Sequence, residues 1–294
     1  FWEKVYTAVQ EKISTLSPIK KWMAIQALKA GKKRNLEYLR LGKKAPWWVE
    51  KKYQFFYKNV LLPMQKVIGV ENGNIFPTAG APLSANIVEF FHSCGINVMV
   101  GYGLSETTAT VSCYPQVGYE IGTVGTVMPG VEVKIGEQNE ILVKGPSVMR
   151  GYYKNPEATE AVIDKDGWLH TGDMGTISNA GTIFIKGRCK TMILSANGQN
   201  IYPEEIEAKL NNMPYVAESL VVQRGHKLVA LVYPDYEAMD KVGLSHEMMP
   251  KVMEKVREEV NRQVAPYEKI DEVQLRASEF EKTPKRSIKR FLYS

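Results

Sequence analysis

The pattern of apolar and polar positions divides the 294-residue chain into distinct stretches. Residues 1–70 favour irregular helices, which are expected to break at Pro18, Pro46 and Pro63. From about 74 to 100 the pattern predicts a strand, a turn, a helix over 84–93 capped by Ser84, and a buried strand over 96–100. Residues 120–187 carry short alternating runs with frequent glycines, which are typical of a small antiparallel sheet or distorted barrel.

The pattern changes after Lys190 to that of an α+β module. It predicts a short hairpin, a helix over 203–212, strands near 217–223 and 227–233, and a long helix near 245–264. Four valines repeat every four residues in the last helix and predict one apolar stripe against a sheet: Val252, Val256, Val260 and Val264. The sequence therefore predicts an α/β domain over 1–189, with its small β subdomain at 120–187, followed by an α+β domain over 190–294.

Composition narrows the class of protein. Hydrophobic residues make up 44% of the chain, enough to build one large core or two ordinary ones. No apolar run has the length of a membrane span, and no signal-peptide pattern is present, so a cytoplasmic protein is expected. Cys94, Cys113 and Cys189 are odd in number and far apart, which indicates free thiols in a reducing compartment.

Positive charge is concentrated at the amino-terminal end. The net charge is +6, and residues 1–60 hold 14 Lys and Arg against 4 Asp and Glu, so the remainder carries about −4 (6 − 10). Trp2, Trp22, Trp47 and Trp48 lie in the same stretch. We favour an aromatic face that packs against further protein. The alternative is peripheral contact with an anionic inner membrane surface, and we expect no nucleic-acid partner.

The most informative motif is Gly-Tyr-Gly-Leu-Ser-Glu at 101–106, which follows the predicted buried strand. Tyr102 offers an aromatic face to a base, and Ser105 offers a hydroxyl to a phosphate. Glu106 offers a carboxylate to Mg²⁺, which prefers oxygen ligands. Gly103 lets the backbone approach a ligand closely. Ligands of open α/β sheets bind at the carboxyl ends of strands, so the sequence predicts a nucleotide site here.

Further motifs follow in order along the chain. Thr-Gly-Asp at 171–173 comes at the predicted end of a strand, where the Asp173 carboxylate suits ribose hydroxyls. Gly-Arg-Cys-Lys occupies 187–190, and Asn-Gly-Gln-Asn-Ile-Tyr-Pro-Glu-Glu-Ile-Glu occupies 197–207. Pro203 suits a first helical position, and the glutamates after it oppose the positive end of the helix dipole.

Together these motifs resemble the adenylate-forming enzymes, the superfamily of acyl-CoA synthetases, luciferases and peptide-synthetase adenylation domains. Thr-Ala-Gly-Ala-Pro-Leu at 78–83 and the run from Glu140 to Tyr153 fit the same family. The Ile-Tyr-Pro-Glu-Glu sequence and the carboxyl-terminal residues 282–293 resemble the long-chain fatty acid–CoA ligase branch. The resemblance is good over 75–294 and loose before it, and it implies the later part of a large AMP-binding domain followed by a small mobile carboxyl-terminal domain.

The resemblance also implies a set of site residues and substrates. The substrates are ATP with Mg²⁺, a long-chain carboxylate and coenzyme A. The implied residues are Gly80, Ala81, Pro82, Tyr102, Gly103, Ser105, Asp173 and Arg188 for ATP, Glu106 for Mg²⁺, Lys190 as the hinge, and Gly198 on the coenzyme A side. Ser105 and Glu106 are the implied catalytic residues of adenylation.

The sequence departs from the family in two places. No Ser/Thr/Gly-rich phosphate loop followed by Pro-Lys is present, so we expect the chain to be part of a longer enzyme and to be inactive alone. Ser287 occupies the position of the family's catalytic lysine, and Lys285 or Lys289 is the candidate replacement. In an extended segment these three side chains would share one face.

Three functions remain open from the sequence. The first is a fatty acid–CoA ligase. The second is an adenylating enzyme that transfers its acyl group to a carrier-protein thiol. The third is a non-catalytic nucleotide-binding module, which the missing loop and Ser287 would allow.

Overall fold

The computed structural model describes residues 1–81, 83–195, 197–283 and 287–293. The chain divides into two compact units. The first comprises Phe1–Thr171 and Gly175–Ile185, and the second comprises Gly172–Met174 and Lys186–Ser294. The predicted domain boundary at 189/190 stays a prediction.

The first unit begins with helices: α1 (Trp2–Ser14), α2 (Pro18–Gly31), α3 (Trp47–Phe56) and α4 (Leu62–Ile68). Pro18 starts α2 and Pro46 caps α3, as expected of prolines at helix starts. The prediction of a break at Pro63 is wrong. A π-helical turn, Tyr57–Leu61, joins α3 to α4, and Pro63 lies in the first turn of α4, where its missing N–H costs little.

The aromatic residues of this helical region are divided between core and surface. Trp2 packs with Phe91 and Val98 in a buried cluster. Trp22 and Trp47 are exposed, and Lys51 lies 5.1 Å from the Trp47 ring. Packing against further protein and contact with a membrane both stay predictions. In the described part of the chain, no helix combines the length and the apolar character that a membrane crossing needs.

A βαβ unit follows, as predicted. Strand β1 (Phe76–Thr78) and strand β2 (Val98–Tyr102) are parallel, and helix α5 (Ala85–Ser93) connects them. Strand β2 begins two residues later than predicted and includes the first residues of the 101–106 motif. Ser84 is the residue before α5, but its side chain makes no capping bond. The short strands β3 (Ser112–Cys113) and β4 (Thr126–Val127) complete this sheet in the order β1-β2-β3-β4.

A second four-stranded sheet has the order β5-β6-β7-β8. Its strands are β5 (Glu132–Ile135), β6 (Glu140–Lys144), β7 (Leu169–Ile177) and β8 (Ile183–Arg188), and α6 (Pro156–Glu160) lies between β6 and β7. Strands β5 and β6 are antiparallel. The inward residues Ile141, Val143 and Ile183 form one core cluster with Tyr102.

The second unit is an α+β module. Its elements are β9 (Ile193–Leu194), β10 (Asn200–Ile201), α7 (Pro203–Leu210), β11 (Val216–Arg224), β12 (Lys227–Pro234), α8 (Tyr236–Lys241), α9 (Met249–Asn261) and β13 (Glu272–Leu275). Strand β12 pairs antiparallel with β11 and parallel with β13. The valine stripe is confirmed, because Val256 and Val260 are buried against the sheet. The predicted combination of α/β and α+β architecture is also confirmed.

Candidate functional site

The Ser105–Glu106 turn begins where β2 ends. Residues Ser105–Thr107 form a single 3₁₀ turn that follows Tyr102 by two residues. Thr107 is buried, and its hydroxyl lies 2.9 Å from the Leu104 amide nitrogen and 3.1 Å from the Leu104 carbonyl oxygen. Thr107 therefore holds the turn so that the Ser105 side chain is exposed to solvent. No motif in the sequence marks Thr107 as a site residue.

The backbone around this turn is tightly constrained. A Cβ atom on Gly103 would lie 1.3 Å from the Ala109 carbonyl oxygen, so only glycine fits. Thr108 (φ 49°) and Ala109 (φ 85°) adopt left-handed conformations that are strained for residues with side chains. The Val111 N–H donates to the Tyr102 carbonyl at 2.7 Å and closes the loop. Such strain is typical of functional sites, where surrounding contacts hold the backbone in place.

Glu106 is half-buried, and a tyrosine fixes its carboxylate. The Tyr152 hydroxyl donates to Glu106 Oε1 at 2.9 Å, and this hydrogen bond raises the pKa of Tyr152. The Met149 N–H donates to the Glu106 carbonyl at 2.7 Å, which ties the segment before Tyr152 to the turn. Tyr152 lies in the run from Glu140 to Tyr153 that fits the family, but the resemblance implied no role for it. The carboxylate–tyrosine contact joins residues 46 positions apart.

The Glu106 carboxylate fits a Mg²⁺ ion that is also held by nucleotide phosphates. Tyr152 occupies Oε1, and among the described residues no protein donor contacts Oε2. One carboxylate is a common protein contribution to a magnesium–nucleotide site. The described residues include no group of three or more His, Cys, Asp or Glu side chains arranged to hold a metal without a substrate.

Tyr102 and the Gly80 turn give different support to the predicted adenine site. Tyr102 is only 8% exposed and packs with Val111 in the core, so most of its ring is covered and the stacking role stays a prediction. Gly80 has φ 87° with open space where a side chain would be, and Ala81 is exposed. Pro82 lies outside the described residues. The loop after β1 lines a cavity of about 540 Å³.

Asp173 and Arg188, the predicted ribose ligands, contact each other. Asp173 is buried, and Arg188 Nε lies 3.0 Å from Asp173 Oδ1. The prediction that a strand ends at Asp173 is wrong, because β7 continues to Ile177 and the next strand of the sheet, β8, returns beside it. The Arg188 side chain is 60% exposed, which leaves its guanidinium accessible to a ligand. The ribose role stays a prediction.

Lys190 and Gly198 lie in turns of the second unit. Lys190 is exposed at the centre of the 3₁₀ turn Cys189–Thr191, directly after β8. Gly198 has φ 73° in the loop of the β9–β10 hairpin, and its N–H donates to the Ser195 carbonyl at 3.0 Å. Among the described residues, nothing lies within 4 Å of the point where a Cβ atom on Gly198 would be. The hinge role of Lys190 and the coenzyme A role of Gly198 stay predictions.

Of the two candidate lysines near the carboxyl-terminal end, Lys289 lies in the described part of the chain. Lys282 and Ile288 are antiparallel bridge partners, and the Thr283 N–H donates to the Ser287 carbonyl at 2.8 Å. Lys289 Nζ lies 3.3 Å from Glu281 Oε2. Lys285 lies outside the described residues, so its candidate role stays a prediction.

Comparisons with known proteins agree with these motifs. The family model described as AMP-binding enzyme matches residues 19–153, and that described as AMP-binding enzyme C-terminal domain matches residues 190–293. The chain therefore belongs to the AMP-binding enzymes, and the predicted membership of the adenylate-forming superfamily is confirmed.

This chain matches only part of the length of its individual relatives. A long-chain-fatty-acid–CoA ligase, FadD15 of Mycobacterium bovis, is 37% identical over 55% of this chain and 27% of its own. A chloroplastic long-chain-fatty-acid–[acyl-carrier-protein] ligase, AEE15 of Arabidopsis thaliana, is 28% identical over 82% of this chain and 39% of its own. The chain thus spans about a quarter to two-fifths of these relatives.

A solved structure supports the fold. ATP-bound MatB from Rhodopseudomonas palustris superimposes with a TM-score of 0.61 and 27% identity, covering 81% of this chain and 48% of that protein.

Proposed function

We propose that this chain is part of a ligase that activates a long-chain fatty acid with ATP and passes the acyl group to coenzyme A. The observation that carries the proposal is the Ser105–Glu106 turn, where a hydroxyl and a tyrosine-held carboxylate are fixed at the end of a parallel strand. Family membership supports the adenylation chemistry, and the fatty acid–CoA ligase among the relatives supports the substrate class.

The proposed first step is attack of the fatty acid carboxylate on the α-phosphorus of ATP. A bond forms between a carboxylate oxygen and phosphorus, the bond to the β-phosphate oxygen breaks, and pyrophosphate leaves. Ser105 would donate its hydroxyl to an α-phosphate oxygen. Glu106 would hold Mg²⁺, which neutralises charge on the phosphates. Phosphoryl chemistry of this kind depends mainly on positioning and on electrostatic stabilisation.

Other residues would bind the nucleotide and move the chain between the two steps. Asp173 would accept hydrogen bonds from the ribose hydroxyls, and the Arg188 fork suits paired oxygen acceptors. Gly80 and Ala81 would border the adenine beside Tyr102. Rotation about Lys190 would bring the Gly198 loop into place for thioester formation. The thiolate then attacks the acyl carbon and AMP leaves.

The proposal also specifies which thiol accepts the acyl group. Transfer to an acyl-carrier protein is the second candidate, because one relative is named for that acceptor. Incubation of the intact protein with ATP, Mg²⁺ and palmitate separates the two. Mass spectrometry should detect palmitoyl-CoA when coenzyme A is supplied, whereas loading of a carrier protein alone would favour the second candidate. AMP formation in neither mixture would count against ligase activity.

The 294 residues alone are proposed to turn over poorly, because their sequence contains no Ser/Thr/Gly-rich phosphate loop. Palmitoyl-CoA formation by the isolated chain at a rate near that of the intact protein would contradict this part of the proposal.

A further inference from the structure

A polar network in the second unit connects the turn around Lys190 to the carboxyl-terminal segment. Glu204 lies in the first turn of α7, and its Oε1 accepts a hydrogen bond from the Thr191 hydroxyl at 2.7 Å. Arg290 Nε lies 3.5 Å from the same oxygen. Arg290 also forms an ion pair with Glu207, which is buried one helical turn further along α7. Thr191 and Arg290 therefore both contact Glu204 Oε1.

The Thr191 hydroxyl has one proton and two acceptors within reach. Glu204 Oε1 lies at 2.7 Å and the Arg188 carbonyl oxygen lies at 3.0 Å. A hydroxyl donates only one hydrogen bond, and a carboxylate is the stronger acceptor. The Arg188 carbonyl already accepts the Met192 N–H at 3.1 Å, a bond that spans Lys190. Donation from Thr191 to Arg188 would add a second brace across Lys190, and donation to Glu204 does not.

Gly187 makes room for this arrangement. A Cβ atom on Gly187 would lie 2.7 Å from Glu204 Oε2. That oxygen is buried and has no hydrogen-bond partner in the described part of the chain, so its position is set by Oε1 and by the space beside Gly187. Because a glutamate side chain is flexible, a methyl group at 187 would displace the carboxylate without unfolding the strand.

We propose that Glu204 and Thr191 are positioning residues for movement at Lys190: the carboxylate draws the Thr191 hydroxyl away from the Arg188 carbonyl and leaves the turn free to change. The reason for this movement rests on the proposed function, in which adenylation and thioester formation need different poses of the second unit. The competition for the Thr191 proton is independent of that function.

Hydrogen–deuterium exchange on the 294-residue chain tests the competition directly. In Glu204→Ala the hydroxyl turns to Arg188, so exchange at the Met192 amide should slow by about 2- to 10-fold, the range of one net hydrogen bond. Gly187→Ala should shift exchange in the same direction, because it displaces the carboxylate. Adding Thr191→Val to Glu204→Ala should restore the parent rate. Faster exchange in Glu204→Ala would mean that Glu204 only stabilises the fold, and would overturn the proposal.

The matched control is Glu259→Ala, which removes an exposed glutamate that pairs with Arg262 on α9. This variant should leave exchange at the Met192 amide unchanged. Thermal unfolding of each variant verifies that the chain is folded. If Glu204→Ala is unfolded, Gly187→Ala and Thr191→Val carry the test, with slower exchange expected in the first and no slowing in the second.

The two half-reactions of the intact protein test whether Glu204 and Thr191 affect function. Glu204→Ala should slow acyl transfer to the thiol by about 5- to 10-fold, the effect of one hydrogen bond on a barrier, while pyrophosphate exchange changes less than about 2-fold. Thr191→Val in that background should recover most of the loss. Equal losses in both half-reactions would overturn the hinge role. Absence of pyrophosphate exchange in the parent protein would count against the proposed function, and the amide exchange result then decides the competition by itself.

Discussion

Substitution of Glu106 by Gln should abolish most of the adenylation activity of the intact protein. The change keeps the size of the side chain and its hydrogen bond with Tyr152, and removes the negative charge that would hold Mg²⁺. Loss of one key electrostatic group at a reacting centre costs about 10²- to 10³-fold in rate. We therefore expect palmitate-dependent pyrophosphate exchange to fall by about 10²-fold or more, and higher Mg²⁺ to recover part of the loss.

The contact with Tyr152 gives a second, smaller magnitude. Tyr152 is 38% exposed, so its hydrogen bond to the carboxylate is worth about 1–1.5 kcal/mol, or about 5- to 10-fold in rate. Tyr152→Phe should show this loss in the parent protein. In the Glu106→Gln background it should add little, because Tyr152 acts by positioning the charged carboxylate, which that variant already lacks.

The control is Glu160→Gln, which changes an exposed glutamate at the end of α6. It should leave the exchange rate within about 2-fold, as is usual for surface substitutions. An unaltered exchange rate and Mg²⁺ dependence in Glu106→Gln would refute the role of this carboxylate. Independent, additive losses from Glu106→Gln and Tyr152→Phe would refute the idea that Tyr152 acts through it.

Three further predictions address stability and nucleotide binding. Gly103→Ala should lower the free energy of unfolding by about 3 kcal/mol or more in urea titration, because its Cβ would overlap the Ala109 carbonyl; an unchanged midpoint would contradict this. Arg188→Lys should raise KM for ATP about 10-fold with little change in kcat, since lysine lacks the paired donors, and an unchanged KM would count against the ribose contact. Burial lowers the pKa of His92, whose ring accepts a hydrogen bond from the Tyr119 hydroxyl and donates one to a backbone carbonyl. The unfolded state therefore binds a proton at His92 more readily than the folded state, and the free energy of unfolding should fall as pH drops below about 6.5. Melting temperatures should fall less steeply between pH 7.5 and 5.5 in His92→Gln, and identical slopes would refute the assignment.

Local pattern was sufficient for much of the fold. The four-residue valine repeat predicted α9, and the alternation of apolar runs predicted the β1–α5–β2 unit, because each depends on burial of one face of one element. Helix ends were less well predicted, since α9 stops at Asn261 and begins at Met249, inside the predicted limits. The predicted break at Pro63 is absent because a π turn precedes the proline and places it in the first turn of α4.

The candidate site could be predicted only in part. Motif order indicated Ser105, Glu106 and Asp173 before any geometry was known. The tyrosine that holds Glu106 is 46 residues away, and no local spacing marks such a contact. Asp173 lies in the middle of β7 because pairing with β8 extends the strand to Ile177. Sheet pairing of this kind cannot be predicted from the local sequence.

Transfer of oxygen from the fatty acid to AMP tests the central claim most directly. The intact protein is incubated with palmitate labelled with ¹⁸O in both carboxylate oxygens, ATP, Mg²⁺ and coenzyme A, and the products are analysed by mass spectrometry. Attack of the carboxylate on the α-phosphorus leaves one ¹⁸O atom in AMP and none in pyrophosphate. Unlabelled AMP, or label in inorganic phosphate with release of ADP, would contradict the assignment of this chain to an adenylate-forming ligase.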